Sequence, residues 1–178
     1  MNFKNKIHQV GATLLEVVMV LGFVSLFAVG AITYYNTANT SSQLTTEVKN
    51  ANTLTTSIRN MFNTQGNYTG LANDVILRSA TFPENMRNSA TDYTNIKSVW
   101  NNTGVTVTPF SFPGGSPDDG FDITYTDVPG NMCADFVGQI YRYYREVVIG
   151  STTVSGTAQI ATTCPTGSTT TTVSFRTR

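Results

Sequence analysis

Histidine is nearly missing from this chain: the only one is His8. It lies ahead of the apolar run, and beyond residue 11 no histidine is left for a Ser-His-Asp or Cys-His arrangement for nucleophilic catalysis. Charge is also scarce, at 12% of residues. Beyond residue 11 there are nine basic and eleven acidic side chains, a net charge of −2. A nucleic-acid-binding face needs clustered Lys and Arg, and the closest local grouping is Arg142 with Arg145. Direct nucleic-acid binding is therefore not expected. Proline is absent from Ala12 to Asn63, so nothing in that stretch forces a break in a helix. Asp118, Asp119 and Asp122 form the one carboxylate grouping that could hold Ca²⁺ through oxygen ligands or supply an acid and a base. They lack the spacing of a calcium loop, and a solvated turn is the simpler reading. No enzymatic role, metal or cofactor is expected.

One long apolar run is present. From Val17 to Tyr35 there are 19 residues without a charge, close to the ~20 needed for a helix to cross a bilayer core. Lys4 and Lys6 precede it and hold the N-terminal side in the cytoplasm under the positive-inside rule. Glu16 stands at its edge. A carboxylate at membrane depth is costly, by at least ~2.5 kcal/mol, and so marks a functional residue whose partner should be named. A plain signal anchor or secretory signal is the competing reading. A secretory signal has a shorter apolar core followed by small residues, and an acid at this point fits it poorly.

Past the polar bridge Asn36–Gln43, apolar residues recur at Leu44, Val48, Ala51, Leu54, Ile58, Met61 and Phe62. This is the stripe of an amphipathic helix with one buried face. With no proline to interrupt it, the pattern predicts a single helix from Ala12 to Asn63, roughly 75 Å long at 1.5 Å per residue. Asn63–Asn67 contains a glycine and should end it. The remainder predicts a small head. A short helix is expected over 71–80, and strands over 105–108, 121–125, 146–149, 152–154 and 171–176, with a loop over 112–120 and a helix over 134–144. In that helix Tyr141, Tyr143 and Tyr144 with Phe136 could present an exposed aromatic face, but Phe136, Ile140 and Tyr144, spaced four and four, are expected to bury against the sheet instead. Phe110 and Phe112 should pack in the core.

The residues around Glu16 resemble the type IV prepilins: a short basic leader, Gly11, then Ala12-Thr13-Leu14-Leu15-Glu16-Val17 and the apolar run. The segments Asn67-Tyr68-Thr69-Gly70-Leu71, Phe82-Pro83-Glu84-Asn85-Met86 and Val128–Val137 with its Cys133 are similar to those of the type IVb branch, which includes bundle-forming and conjugative thin-pilus pilins. The leader is short for that branch and the chain compact. The resemblance implies cleavage by prepilin peptidase between Gly11 and Ala12, methylation of the Ala12 amine, and pairing of Glu16 with that amine on a neighbouring subunit. It also implies an inner-membrane precursor, a homo-oligomeric helical filament on the cell surface, and an assembly platform and secretin as partners.

Three segments are then expected: a leader at 1–11, an apolar helix half at 12–43, and a head at 44–178. The fold is α+β, a long N-terminal helix packed on an antiparallel sheet, with a C-terminal disulfide region. Cys133 and Cys164 are the only cysteines and fall on the non-cytoplasmic side. An even pair in an oxidising compartment is read as a disulfide. Gly22 and Gly30 interrupt the apolar half. They serve either close helix packing or, by the resemblance, a stretch that loosens in the filament around Gly30. A minor pilin, a secretion pseudopilin, or an unrelated single-pass membrane protein with a periplasmic binding head would share parts of this pattern.

Overall fold

The structure, a computed structural model, describes residues 13–178; Gly11 and Ala12 lie outside the described residues. Helix α1 runs unbroken over Leu14–Phe62, as the absence of proline allows. Thr13 starts it: its Oγ1 accepts the Glu16 N–H at 3.3 Å, satisfying one of the orphan donors of the first turn. The helix passes straight through Gly22 and Gly30, and a Cβ at either position would meet nothing within 4 Å. At the other end Gly66 adopts φ +76, the left-handed backbone that favours glycine after a helix terminus. Hydroxyls along α1 are satisfied internally. Ser25, Thr33, Thr37, Thr40, Thr45, Thr46, Thr53, Thr55 and Thr56 each donate to the carbonyl four residues earlier.

The chain divides into two compact units, residues up to Thr40 and Ser41–Arg178. Within the second unit lie α2 (Asn73–Ile76), β1 (Val105–Phe110), β2 (Gly120–Pro129), α3 (Gly130–Ile140), β3 (Glu146–Ile149), β4 (Thr152–Val154), α4 (Thr157–Thr163) and β5 (Thr170–Thr177). The strands form one antiparallel sheet in the order β1-β2-β5-β3-β4. Period-two alternation gives it two unlike faces. One carries the row Val107, Ile123, Phe175, Val147 and Val154 across all five strands, and every member is buried. The opposite face carries Thr108, Asp122, Arg176 and Glu146, where the Arg176 guanidinium bridges Asp122 at 2.8 Å and Glu146 at 2.6 Å. The β2–β5 register shifts between Tyr125 and Val128, around Asp127 at φ +57. This is a bulge placed on a residue type that tolerates left-handed backbone.

The apolar sheet face packs against the head half of α1 through Ala51, Leu54, Ile58 and Phe62, and against α3 through Cys133, Phe136, Val137 and Ile140. Burying a side chain such as Leu54 or Ile58 completely contributes about 1.5–3 kcal/mol. Phe136 is the hub, with edge-on contacts to Trp100, Tyr125 and Phe175 at 5.1–5.5 Å between ring centroids. Polar ties fix α1 at defined points. Thr55 Oγ1 shares a hydrogen bond with the Tyr144 hydroxyl (2.7 Å), Ser57 donates to the Thr81 carbonyl, and Arg59 donates to the Arg178 carbonyl and Thr177 Oγ1. Cys133 of α3 and Cys164, at the end of α4, form a disulfide.

Strands β1 and β2 run longer than expected, to Phe110 and Pro129, and the helices of the head also differ from expectation. The helix expected over 71–80 is confined to Asn73–Ile76. Helix α3 begins four residues earlier than expected, at Gly130, and is followed by a 3-10 turn at Tyr141–Tyr143. Helix α4 was not expected at all.

Candidate assembly surface

Between Leu14 and Tyr35 the first unit exposes an apolar surface on every side of the helix. Phe23, Phe27, Leu26, Val24, Ile32 and Tyr35 are among the exposed side chains. The segment is long and apolar enough to cross a membrane. In water such a surface is strongly disfavoured, at about 25 cal/mol per Å² of apolar area. It must be covered by lipid or by other apolar helices. Glu16 lies exposed at its N-terminal edge, and no cation among the described residues forms an ion pair with it. It sits in the first turn, where a negative charge is favoured by the helix dipole.

In the head, the other residues singled out from sequence resolve individually. Asp119 accepts the Phe112 N–H at 2.8 Å and pairs with Arg178 at 2.5 Å, Asp122 pairs with Arg176, and Asp118 accepts the Thr69 hydroxyl at 2.7 Å. These three carboxylates therefore each serve a separate structural contact. Phe136, Ile140 and Tyr144 are buried, whereas Tyr143 is 67% exposed. Phe112 is buried, with the guanidiniums of Arg145 and Arg178 stacked on it, and Phe110 lies under Arg176.

One residue escaped the sequence reading. Glu47 of α1 is fully buried. Its Oε2 accepts the Val99 N–H at 2.9 Å and lies 3.5 Å from Asn50 Nδ2. Oε1 has no partner, and neither has the equally buried Tyr125 hydroxyl. Burial pushes the Glu47 carboxyl up to about 7, with the hydrogen bonds from Val99 and Asn50 and the nearby Tyr125 hydroxyl acting in the opposite direction. Burial also pushes the Tyr125 hydroxyl well above its ordinary value and that of Tyr144 to about 12. The signal for Glu47 was its position three residues after Leu44 and four before Ala51, on the apolar stripe itself.

An exposed apolar half-helix continuing into a disulfide-bridged α+β head is the architecture of a type IV pilin. Two solved structures share the fold: the type IVb pilin from Salmonella typhi (TM-score 0.56, 19% identity, covering 73% of this chain and 96% of that one) and TcpA, a type IV pilin from Vibrio cholerae El Tor biotype (TM-score 0.51, 15% identity, 77% and 99%). Residues 41–178 match the family described as PilS N terminal, and the chain belongs to that family, among the type IV pilins of the IVb branch. It is also 26% identical over 85 residues to the major structural subunit of bundle-forming pilus from Escherichia coli O127:H6 (strain E2348/69 / EPEC), and equally to that from O111:H-. Each match covers 48% of this chain and 44% of the relative, so the chain spans less than half the length of the curated relatives it matches. Family and fold are those of structural proteins rather than enzymes.

Proposed function

We propose that this protein is the major structural subunit of a type IVb pilus, polymerised through its N-terminal helix into an extracellular filament. The observation that carries the reading is the fully exposed apolar surface of Leu14–Tyr35 with a single carboxylate at its edge. Lipid covers that surface in the inner-membrane precursor, and neighbouring helices cover it in the filament. Prepilin peptidase cuts between Gly11 and Ala12, and the new amine is methylated. Glu16 neutralises the Ala12 amine of an adjacent subunit within the apolar bundle, where an unpaired charge is strongly disfavoured. Export proceeds through an assembly platform and secretin. The filament serves adhesion, aggregation or conjugative mating-pair stabilisation. Gly30, a weak helix former, marks where α1 loosens once packed.

The test is the intact mass and N-terminal sequence of the protein in a sheared surface fraction, alongside Glu16→Ala. Abundant chains beginning at N-methylated Ala12, and their loss in the variant with the head still folded, support the reading. A cell-bound chain beginning at Met1 would instead mark a single-pass membrane protein with a periplasmic head. Processed but scarce chains would mark a minor subunit.

A further inference from the structure

Residues Ser98–Asn101 form a strap that joins two elements of the head. On one side the Val99 N–H is donated to Glu47 of α1. On the other, Trp100 Nε1 donates to Met132 Sδ of α3 at 3.0 Å, and its ring meets Phe136 edge-on. The strap is a tight turn: Ser98 Oγ accepts the N–H groups of Trp100 and Asn101 at 3.2 and 3.0 Å. It is pinned beyond by the Asn101 side chain on Asp127. Among the described residues two buried side-chain polar atoms lack a partner, Glu47 Oε1 and the Tyr125 hydroxyl.

We propose that Glu47 and the Ser98–Asn101 strap form a proton-operated latch, closed when the carboxyl is neutral and opened when it ionises. The groups facing Glu47 are Asn50 from its own helix, Tyr125 from β2 and the backbone of Val99 from the strap. Tyr144 acts on Tyr125 and is tied to Thr55, and Arg59 acts on Tyr144. Among the described residues no group facing Glu47 is charged at neutral pH, so ionisation leaves a buried charge without a countercharge, which is strongly disfavoured. Water must then reach it or the site must open. Helix α1 is held by its own ladder and β2 by strands on both sides. The strap's bond to Glu47 favours the charged form but is outweighed by burial; with only turn bonds and its end contacts besides, the strap is the part that yields. Opening moves Trp100 away from Met132 and Phe136, and makes the surface formed by the strap and the head half of α1 dependent on pH.

The chain holds one tryptophan, and it is Trp100. Its emission in the full chain in detergent micelles therefore reports the strap directly. On raising pH from 5 to 9 the wild type should show one red-shifting transition with a midpoint near 7. Glu47→Gln, whose amide can accept from Val99 and donate to Tyr125, should stay blue-shifted throughout. A flat wild-type titration would overturn the latch, and so would a transition that survives in Glu47→Gln and belongs to another group such as His8. If the variant fails to fold, hydrogen exchange at the Val99 amide of the wild type decides, after correction for the intrinsic pH dependence of exchange. Protection falling through the same window supports the latch, and constant protection removes it.

Discussion

The Cys133–Cys164 bridge is the covalent tie of the head, and removing it gives a prediction with a workable magnitude. The two residues are separated by 31 positions, and on the chain-entropy account closing such a loop stabilises the folded state by about 3.7 kcal/mol. Both sulfurs belong to buried residues of the core. A Cys133→Ala, Cys164→Ala chain therefore loses some packing as well, for a total of roughly 4–5 kcal/mol. At a few degrees per kcal/mol for a domain of this size, the melting temperature of the head should fall by roughly 10–20 °C. The measurement is thermal unfolding of the full chain in detergent, followed by near-ultraviolet circular dichroism, which reads the aromatic core around Phe136 rather than the apolar half of α1. Reduction of the wild type should reproduce most of the effect. Because the bridge constrains the unfolded chain, its loss should also raise the denaturant m-value, as more surface becomes exposed on unfolding. A melting temperature lowered by less than ~3 °C with an unchanged m-value would refute the reasoning. It would mean that α3 and α4 are held together by packing alone.

Glu47 makes head stability depend on pH with a definite sign. Its folded-state value is raised from 4.5 to about 7, so between those values the folded chain holds a proton that the unfolded chain has released. Stability is full below pH 4.5, falls as pH rises to 7 by about 3 kcal/mol, and then levels off. Urea unfolding of wild type against Glu47→Gln should show that slope only in the wild type. Phe136→Ala should cost about 3–5 kcal/mol, as three aromatic neighbours lose their common partner; chemical denaturation measures it. Gly130→Ala should destabilise by roughly 1–3 kcal/mol, because its Cβ would lie 2.7 Å from the Pro165 carbonyl oxygen and 2.8 Å from that of Thr169. Gly22→Ala, by contrast, meets no atom and should strengthen α1 in the isolated chain by roughly 1 kcal/mol, read as helicity in detergent.

The stem was legible because one helix period runs through it and no proline interrupts it, and the strands were legible from their alternation. What was not legible has identifiable causes. Gly130 reads as a turn residue, yet its role is to let the start of α3 approach the 165–169 segment, where its N–H donates to the Thr169 carbonyl at 2.8 Å. That need is set by a segment 35 or more residues away. Helix α4 buries only Ile160 and has no apolar stripe to announce it. Helix α2 stops short while Asn73 serves as a bridge, donating to the carbonyls of Thr94 and Val105 and accepting the Val107 N–H. For the assembly surface, the apolar run and Glu16 could be read directly, whereas their roles came from family resemblance. Glu47 was passed over because a charged residue is read as exposed until its neighbours are known.

The strand order carries a consequence for how the head comes into being. Strand β5 lies between β2 and β3 and follows every other described element of the head in sequence. Until residues 170–177 are available, β1–β2 and β3–β4 are two separate hairpins, each with an open edge and an apolar face lacking its centre. Two-stranded hairpins are marginal on their own. A chain delivered from its N-terminus would thus have its long helix formed well before its head could close, and the head would form in one step when its central strand arrived.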